Sequence, residues 1–333
     1  MYSPPCRGNS AVRTATLPST SRATTTEASR IAPRWDVSVM ARERSRLPSS
    51  HRDGDSLGHP APDLTYRTRL NGRPRPAAGA RTAPGLRPCA ASFRSSAMWA
   101  AIDGRRYDDA KGHMREAQAL AEMSGDQAIK FRIWSHTGTM YRHMGRPADA
   151  LAANDVARNL HITRRDPLFA SLGLARQSAI CGAAQDRTGT RRAFEQAQDA
   201  MLRADPADFR PVWMLAFYDQ AELDSLALSA FLALGDYQTA EFHAHRCLSA
   251  LRPHMRRSLA ITTTRLAHAQ LSQGAADAAT VTAMSVSSNA ATQHARVSRM
   301  LQEFGAALRA TAPGSSTAQI WTEHTRDAWR TPA

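Results

Sequence analysis

From residue 97 onward apolar residues return at steps of three and four, the period of an α-helix with one buried face. Before residue 97 no such period lasts beyond a few positions. The periodic part also repeats itself. A glycine followed a few residues later by alanine, with more small residues beyond, occurs at five places: Gly104 with Ala110 and Ala117; Gly145 with Ala150 and Ala157; Gly189 with Ala193, Ala197 and Ala200; Gly235 with Ala240, Ala244 and Cys247; Gly274 with Ala279, Ala283 and Val286. The anchoring Ala110, Ala150, Ala193, Ala240 and Ala279 lie 40, 43, 47 and 39 residues apart. Each interval holds two helices. The glycine supplies the permissive backbone where the chain turns back, and the small residues let the two helices pack closely. One hairpin buries little alone, so stacking on its neighbours must supply the core.

The pattern predicts uneven loops and one long helix in "RADPADFRPVWMLAFYDQAELDSLALSAFLALGD", with Trp213, Phe217, Leu223, Leu226 and Phe231 near one stripe. "ATQHARVSRMLQEFGAALRA" reads as an amphipathic helix that caps the array. The expected organisation is an Arg/Pro/Ser/Thr-rich segment over 1–96, a helical repeat domain over 97–312 and a tail over 313–333.

Composition sharpens the first boundary. Residues 1–96 hold 11 of the 18 prolines, and 16 arginines against 6 acids, so most of the net charge of +14 sits there. Such a segment cannot bury enough apolar surface to offset ordering entropy and reads as disordered. Its charge would attract any polyanion without reading sequence. The two lysines, Lys111 and Lys130, stand against 41 arginines, a bias typical of a GC-rich genome. Cys6, Cys89, Cys181 and Cys247 form no close pair, which suits a reducing compartment. The sequence shows neither a long apolar run nor a secretory signal, so a cytoplasmic location with no membrane contact is expected.

The stretch "WSHTGTMYRHMGRPADALAANDVA", residues 134–157, places Trp134, Gly138 and Tyr141 on one helix face, with Gly145 and Ala150 following. This resembles the tetratricopeptide repeat, and the "LALGDYQTAEFHAHRCL" segment matches the same turn and second helix through Gly235 and Ala240. Thr137 stands where that family carries Leu. The resemblance implies that Trp134 and Tyr141 pack, that Gly138 is a close helix contact, and that Gly145, Gly235 and Gly274 turn the chain. It further implies an all-α, right-handed superhelix of about five hairpins plus a C-terminal capping helix. The order of features over residues 97–312 is similar to the sensor region of actinobacterial helix-turn-helix transcriptional regulators. Residues 1–96 contain no helix-turn-helix pattern, so DNA contact would require one supplied elsewhere.

On the register of that family, the groove-facing positions are Arg132, Ser135, Thr139, Arg142 and His143 in the second repeat, and Glu222, Ser225 and Ser229 in the fourth. Arg132 and Arg142 would then grip a carboxylate. In "EFHAHRC", His243 and Cys247 share a helix face, as do Glu241 and His245, which is two-ligand metal spacing. With no source for further ligands, the plainer reading has Cys247 at a small-residue position and both histidines at the surface. No P-loop, GxGxxG or G-x-S-x-G occurs. The expectation is therefore a non-catalytic regulatory scaffold with no cofactor or metal, binding a peptide or protein segment; a homodimer is a further option. The alternative is the ligand-sensing part of a DNA-binding regulator.

Overall fold

A computed structural model describes residues 86–328. The expectation of disorder over 1–96 falls mainly outside those residues. Its last part does not: the first helix, α1 (Leu86–Asp103), takes in 86–96 and buries Ala91 and Ser95, so the packed helices begin before residue 97.

The described residues are helical, with no strand among them. Five helix pairs make up most of the chain: α1 with α2 (Tyr107–Ser124), α3 (Gln127–His143) with α4 (Pro147–Asn159), α6 (Pro167–Ala183) with α7 (Arg187–Leu202), α9 (Gln220–Ala233) with α10 (Tyr237–Ala250), and α11 (Arg256–Ser272) with α12 (Ala276–Met284). Short helices α5 (His161–Arg165), α8 (Val212–Phe217) and α13 (Ser288–Gln293) join them, and α14 (Ala295–Thr311) and α15 (Ser316–Ala328) follow. The first helix of each pair packs on the first helix of the next, and α14 extends that row beyond α11.

All five reversals use one backbone device. The N–H of Arg106, Arg146, Asp186, Asp236 and Ala275 donates to the carbonyl five residues back, that of Ala101, Tyr141, Cys181, Phe231 and Gln270, at 2.8–3.0 Å. This is the six-to-one bond of a Schellman turn, and it requires a left-handed residue just before the donor. That residue is Gly145, Gly235 or Gly274 in three turns, but Arg105 and Gln185 in the other two. Gly104 and Gly189 therefore do not take the turn position that the repeat pattern gave them. Gly189 lies inside α7, its N–H held by the Asp186 cap at 2.8 Å.

Aspartates start many of the helices. Asp126, Asp166, Asp186, Asp219 and Asp236 each accept a backbone N–H of the first turn, satisfying donors that the helix leaves unpaired. Asp219 explains a departure from the sequence reading. Residues 203–236 hold no single long helix, because extended backbone at Tyr218 and Asp219 separates α8 from α9 and leaves Phe217 exposed. The Tyr218 hydroxyl, 2.7 Å from Ser171 Oγ, anchors the break.

Packing relies on small residues. The five anchoring alanines are buried, and a Cβ on Gly138 would sit 3.1 Å from the Ala150 carbonyl of α4. Gly182 brings the α6 and α9 backbones closer still, since a Cβ there would lie 2.5 Å from the Ala230 carbonyl oxygen. Larger side chains fill the middle: Phe131, Phe169, Phe194, Met214, Leu223 and Phe231 belong to one cluster, with Trp134 packed against it. A second cluster joins α11 to α15 through Phe304 and Trp321. Trp321 is buried, so the expected tail over 313–333 contributes a helix to the core.

Candidate functional site

The first helices of successive pairs turn polar groups toward one enclosed space. Its walls include Thr139, Arg142 and His143 from α3, Arg176 from α6, Glu222, Ser225 and Ser229 from α9, Arg265 from α11 and Arg296 from α14, around a cavity of about 120 Å³. A wider recess of about 460 Å³ shares Arg142, His143, Arg265 and Arg296 and opens past Arg105, Tyr107 and Glu303. The first and last repeats close on each other here. Asp103, at the end of α1, is paired with both Arg257 of α11 and Arg296 of α14, and Arg105 lies 3.6 Å from Glu303.

The arginines are held by neutral groups. Arg142 Nη1 donates to Ser229 Oγ at 2.9 Å and its Nη2 to His143 Nε2 at 3.0 Å; because guanidinium only donates, that imidazole nitrogen is the acceptor. Arg176 Nη1 donates to Ser135 Oγ at 2.5 Å, and Arg265 Nη1 reaches the Ser225 carbonyl at 3.5 Å. Among the described residues no ion pair joins Arg142, Arg176 or Arg265 to a carboxylate. Two acids stand on the cavity wall, Glu222 and Asp219, and Asp219 also accepts the Glu222 N–H as a helix cap.

Burial shifts each of these groups toward its neutral form. It lowers Arg142 to about 10, with Arg296 and Arg176 adding repulsion, and Arg176 to about 10 against the pull of Glu222. Arg265 falls to about 9, through burial and then Arg296 and Arg142. His143 is driven well below its ordinary value by burial and by Arg142, and burial raises Glu222 against Arg176 and Arg265. At neutral pH the arginines remain charged and His143 neutral.

Six of the eight expected groove residues thus meet at one place. Arg132 and Ser135 are absent from the wall of that cavity. Arg132 donates to Ser92 Oγ at 3.0 Å and Ser96 Oγ at 3.1 Å and stacks on Trp213, tying α1 to α3 and α8, while buried Ser135 accepts from Arg176. Arg176, Arg265 and Arg296 escaped the sequence reading. A usable signal existed for two of them: Arg176 is the one charged residue in "PLFASLGLARQSAICGA", and Arg265 the one in "SLAITTTRLAHAQLS".

The "EFHAHRC" segment does not place both histidines at the surface. His243 is buried, with Nδ1 2.8 Å from Asp224 Oδ1, while Cys247 lies 3.6 Å from Thr262 Oγ1. His245 is exposed beside Glu241, which also accepts from Gln270 and Gln273. Among the described residues, no group of three or more His, Cys, Asp and Glu has an arrangement that could hold a metal ion, and no helix is long and apolar enough to cross a membrane.

No protein-family model matches the chain, and a search of curated proteins finds no match.

Proposed function

We propose that this chain is a non-catalytic regulatory scaffold of the tetratricopeptide-like class, a right-handed array of five hairpins with a capping helix that binds an acidic peptide or protein segment in the arginine-lined cavity. Five identical turns and buried alanines at similar intervals support the repeat class. The single observation that carries the binding role is that Arg142, Arg176, Arg265 and Arg296 converge from four different helices on one cavity. An excess of positive charge in a partly desolvated recess raises the local concentration of an oppositely charged partner and is costly to keep unless something is bound. The reading places the protein in the cytoplasm, as part of a transcriptional control process.

The enclosure of the cavity by Asp103 and its two arginine partners favours a chain end or a short segment over a long threaded peptide. It also favours a second reading, the ligand-sensing part of a DNA-binding regulator, with a compact effector in the same cavity. Capture from a lysate of the source organism, comparing wild type with Arg142→Ala, tests the first reading. Loss of a defined protein from the captured set supports it, and identical sets overturn it.

A further inference from the structure

We infer that the cavity walled by Arg142, Arg176 and Arg265 is a site for a phosphomonoester dianion. This rests on the proposal that the cavity is the binding site, and adds the chemistry of what it holds. Charge balance carries the argument. Five arginines stand at the cavity, Arg142, Arg176, Arg257, Arg265 and Arg296, against three carboxylates, Asp219 and Glu222 on the wall and Asp103, which is shared by Arg257 and Arg296; Arg142, Arg176 and Arg265 have only neutral hydrogen-bond acceptors, Ser229 Oγ, His143 Nε2, Ser135 Oγ and the Ser225 carbonyl. The surplus is two positive charges. A carboxylate monoanion would neutralise half of it. A phosphomonoester, near two negative charges at neutral pH, neutralises all of it and offers three oxygens to forked guanidinium donors.

Geometry agrees with charge. The three arginines come from α3, α6 and α11, so their donors approach from different directions, as a tetrahedral group needs and a planar one does not. The hydroxyls of Ser225 and Ser229 stand on the same wall as further donors. A cavity of about 120 Å³ takes a group of several heavy atoms, well beyond one water. The adjoining recess past Arg105 and Tyr107 leaves room for the remainder of the ester.

The test uses the full chain, with inorganic phosphate, sulfate, O-phosphoserine and acetate compared at matched ionic strength by calorimetric titration and thermal melting. Phosphate, sulfate and phosphoserine should bind and raise the melting temperature, and acetate should bind more weakly and raise it less. Phosphoserine binding should weaken several-fold between about pH 7.5 and about pH 5 as it loses its second charge, while sulfate binding does not weaken, since sulfate keeps its charge and burial raises the facing Glu222 toward its neutral form. Arg265→Gln and Arg176→Gln should each weaken phosphate binding at least about tenfold. Both variants should also melt higher than wild type without ligand, because each removes an unpaired buried cation; a merely structural arginine would melt lower when lost. Acetate stabilising as well as phosphate, or variants that bind phosphate like wild type, would overturn the inference. Should phosphoserine bind more tightly than inorganic phosphate, the ester side of the site is real; equal affinity would point to free phosphate as the ligand. An acidic unphosphorylated peptide that binds in an Arg142-dependent way while phosphate does not would sink this inference and leave the peptide reading standing; the reverse result would do the opposite.

Discussion

Arg142, on the last turn of α3, donates to the hydroxyl of Ser229 in the middle of α9 at 2.9 Å, across 87 residues of chain. One side chain thus links the second hairpin to the fourth. That span makes the cavity a property of the whole array. It also separates Arg142 from Arg132, which the repeat register had paired.

The two arginines should therefore fail differently. Arg142→Ala is expected to reduce capture of an acidic ligand while leaving the helical signal intact. Arg132→Ala breaks two hydrogen bonds to Ser92 and Ser96 and a stack on Trp213, and should cost about 1–3 kcal/mol of stability with little change in ligand affinity. Chemical denaturation and titration of both variants check this. Equal loss of affinity would put Arg132 back in the site.

Glycine substitutions should rank by the backbone they would strike. Gly182→Ala drives a methyl against the Ala230 backbone and should destabilise by about 1–3 kcal/mol, the usual range for overpacking. Gly138→Ala meets the Ala150 carbonyl at a longer 3.1 Å and should cost less. Cys247→Ser, whose hydroxyl can reach Thr262, should be mildest. Melting curves for the three variants decide the order; a reversal would mean that the α6–α9 approach is looser than 2.5 Å implies.

Arg210 pins the chain between α7 and α8. Its buried guanidinium meets Asp166 Oδ2 at 2.7 Å, Asp208 Oδ2 at 2.9 Å and the Asp205 carbonyl at 2.6 Å, and the Asp166 pairing raises its pKa. Removing one partner of a buried pair typically costs about 3–5 kcal/mol. Arg210→Ala should cost less than that, because Asp208 is half-exposed and Asp166 also accepts the Leu168 N–H, with proteolysis concentrating at residues 203–211. Unchanged cleavage there would show that the segment is held by other contacts.

Stability should fall in mild acid. His136 and His143 are both held well below the ordinary 6.5, chiefly by burial and then by neighbouring arginines. Below that pH the unfolded chain takes up protons that the folded chain refuses, so stability is full above 6.5 and declines as pH falls toward the folded values. The slope is about 1.4 kcal/mol per pH unit for each excluded proton. His143→Gln, which keeps an acceptor for Arg142, should remove one proton from that slope. An unaltered slope would show that His143 titrates normally.

Truncation tests the start of the domain. A chain beginning at residue 97 loses Ala91 and Ser95 from the α1 contacts and both serine acceptors of Arg132, so it should melt below a chain beginning at residue 86. Identical melting temperatures would return the boundary to residue 97.

The chain's local chemistry determined a great deal by itself. Five hairpins follow from spaced alanines small enough for helix contact and from turn residues such as Gly145, Gly235 and Gly274, because close packing and a left-handed backbone are demands that short stretches must meet locally. Elsewhere local demands compete. Gly104 and Gly189 looked like turn residues, yet the six-to-one bond fixed Arg105 and Gln185 in those places; extended backbone at Tyr218 and Asp219 broke a helix that apolar periodicity would have carried through. Leu86–Ser96 joined the fold because α1 packs on α3, a contact with no local signature. The cavity was decided by tertiary structure alone. Arg142 could be placed by register, but Arg176, Arg265 and Arg296 become one site only when rows of helices more than a hundred residues apart close through Asp103 and its arginine partners, and charge convergence of that kind leaves no periodicity to read.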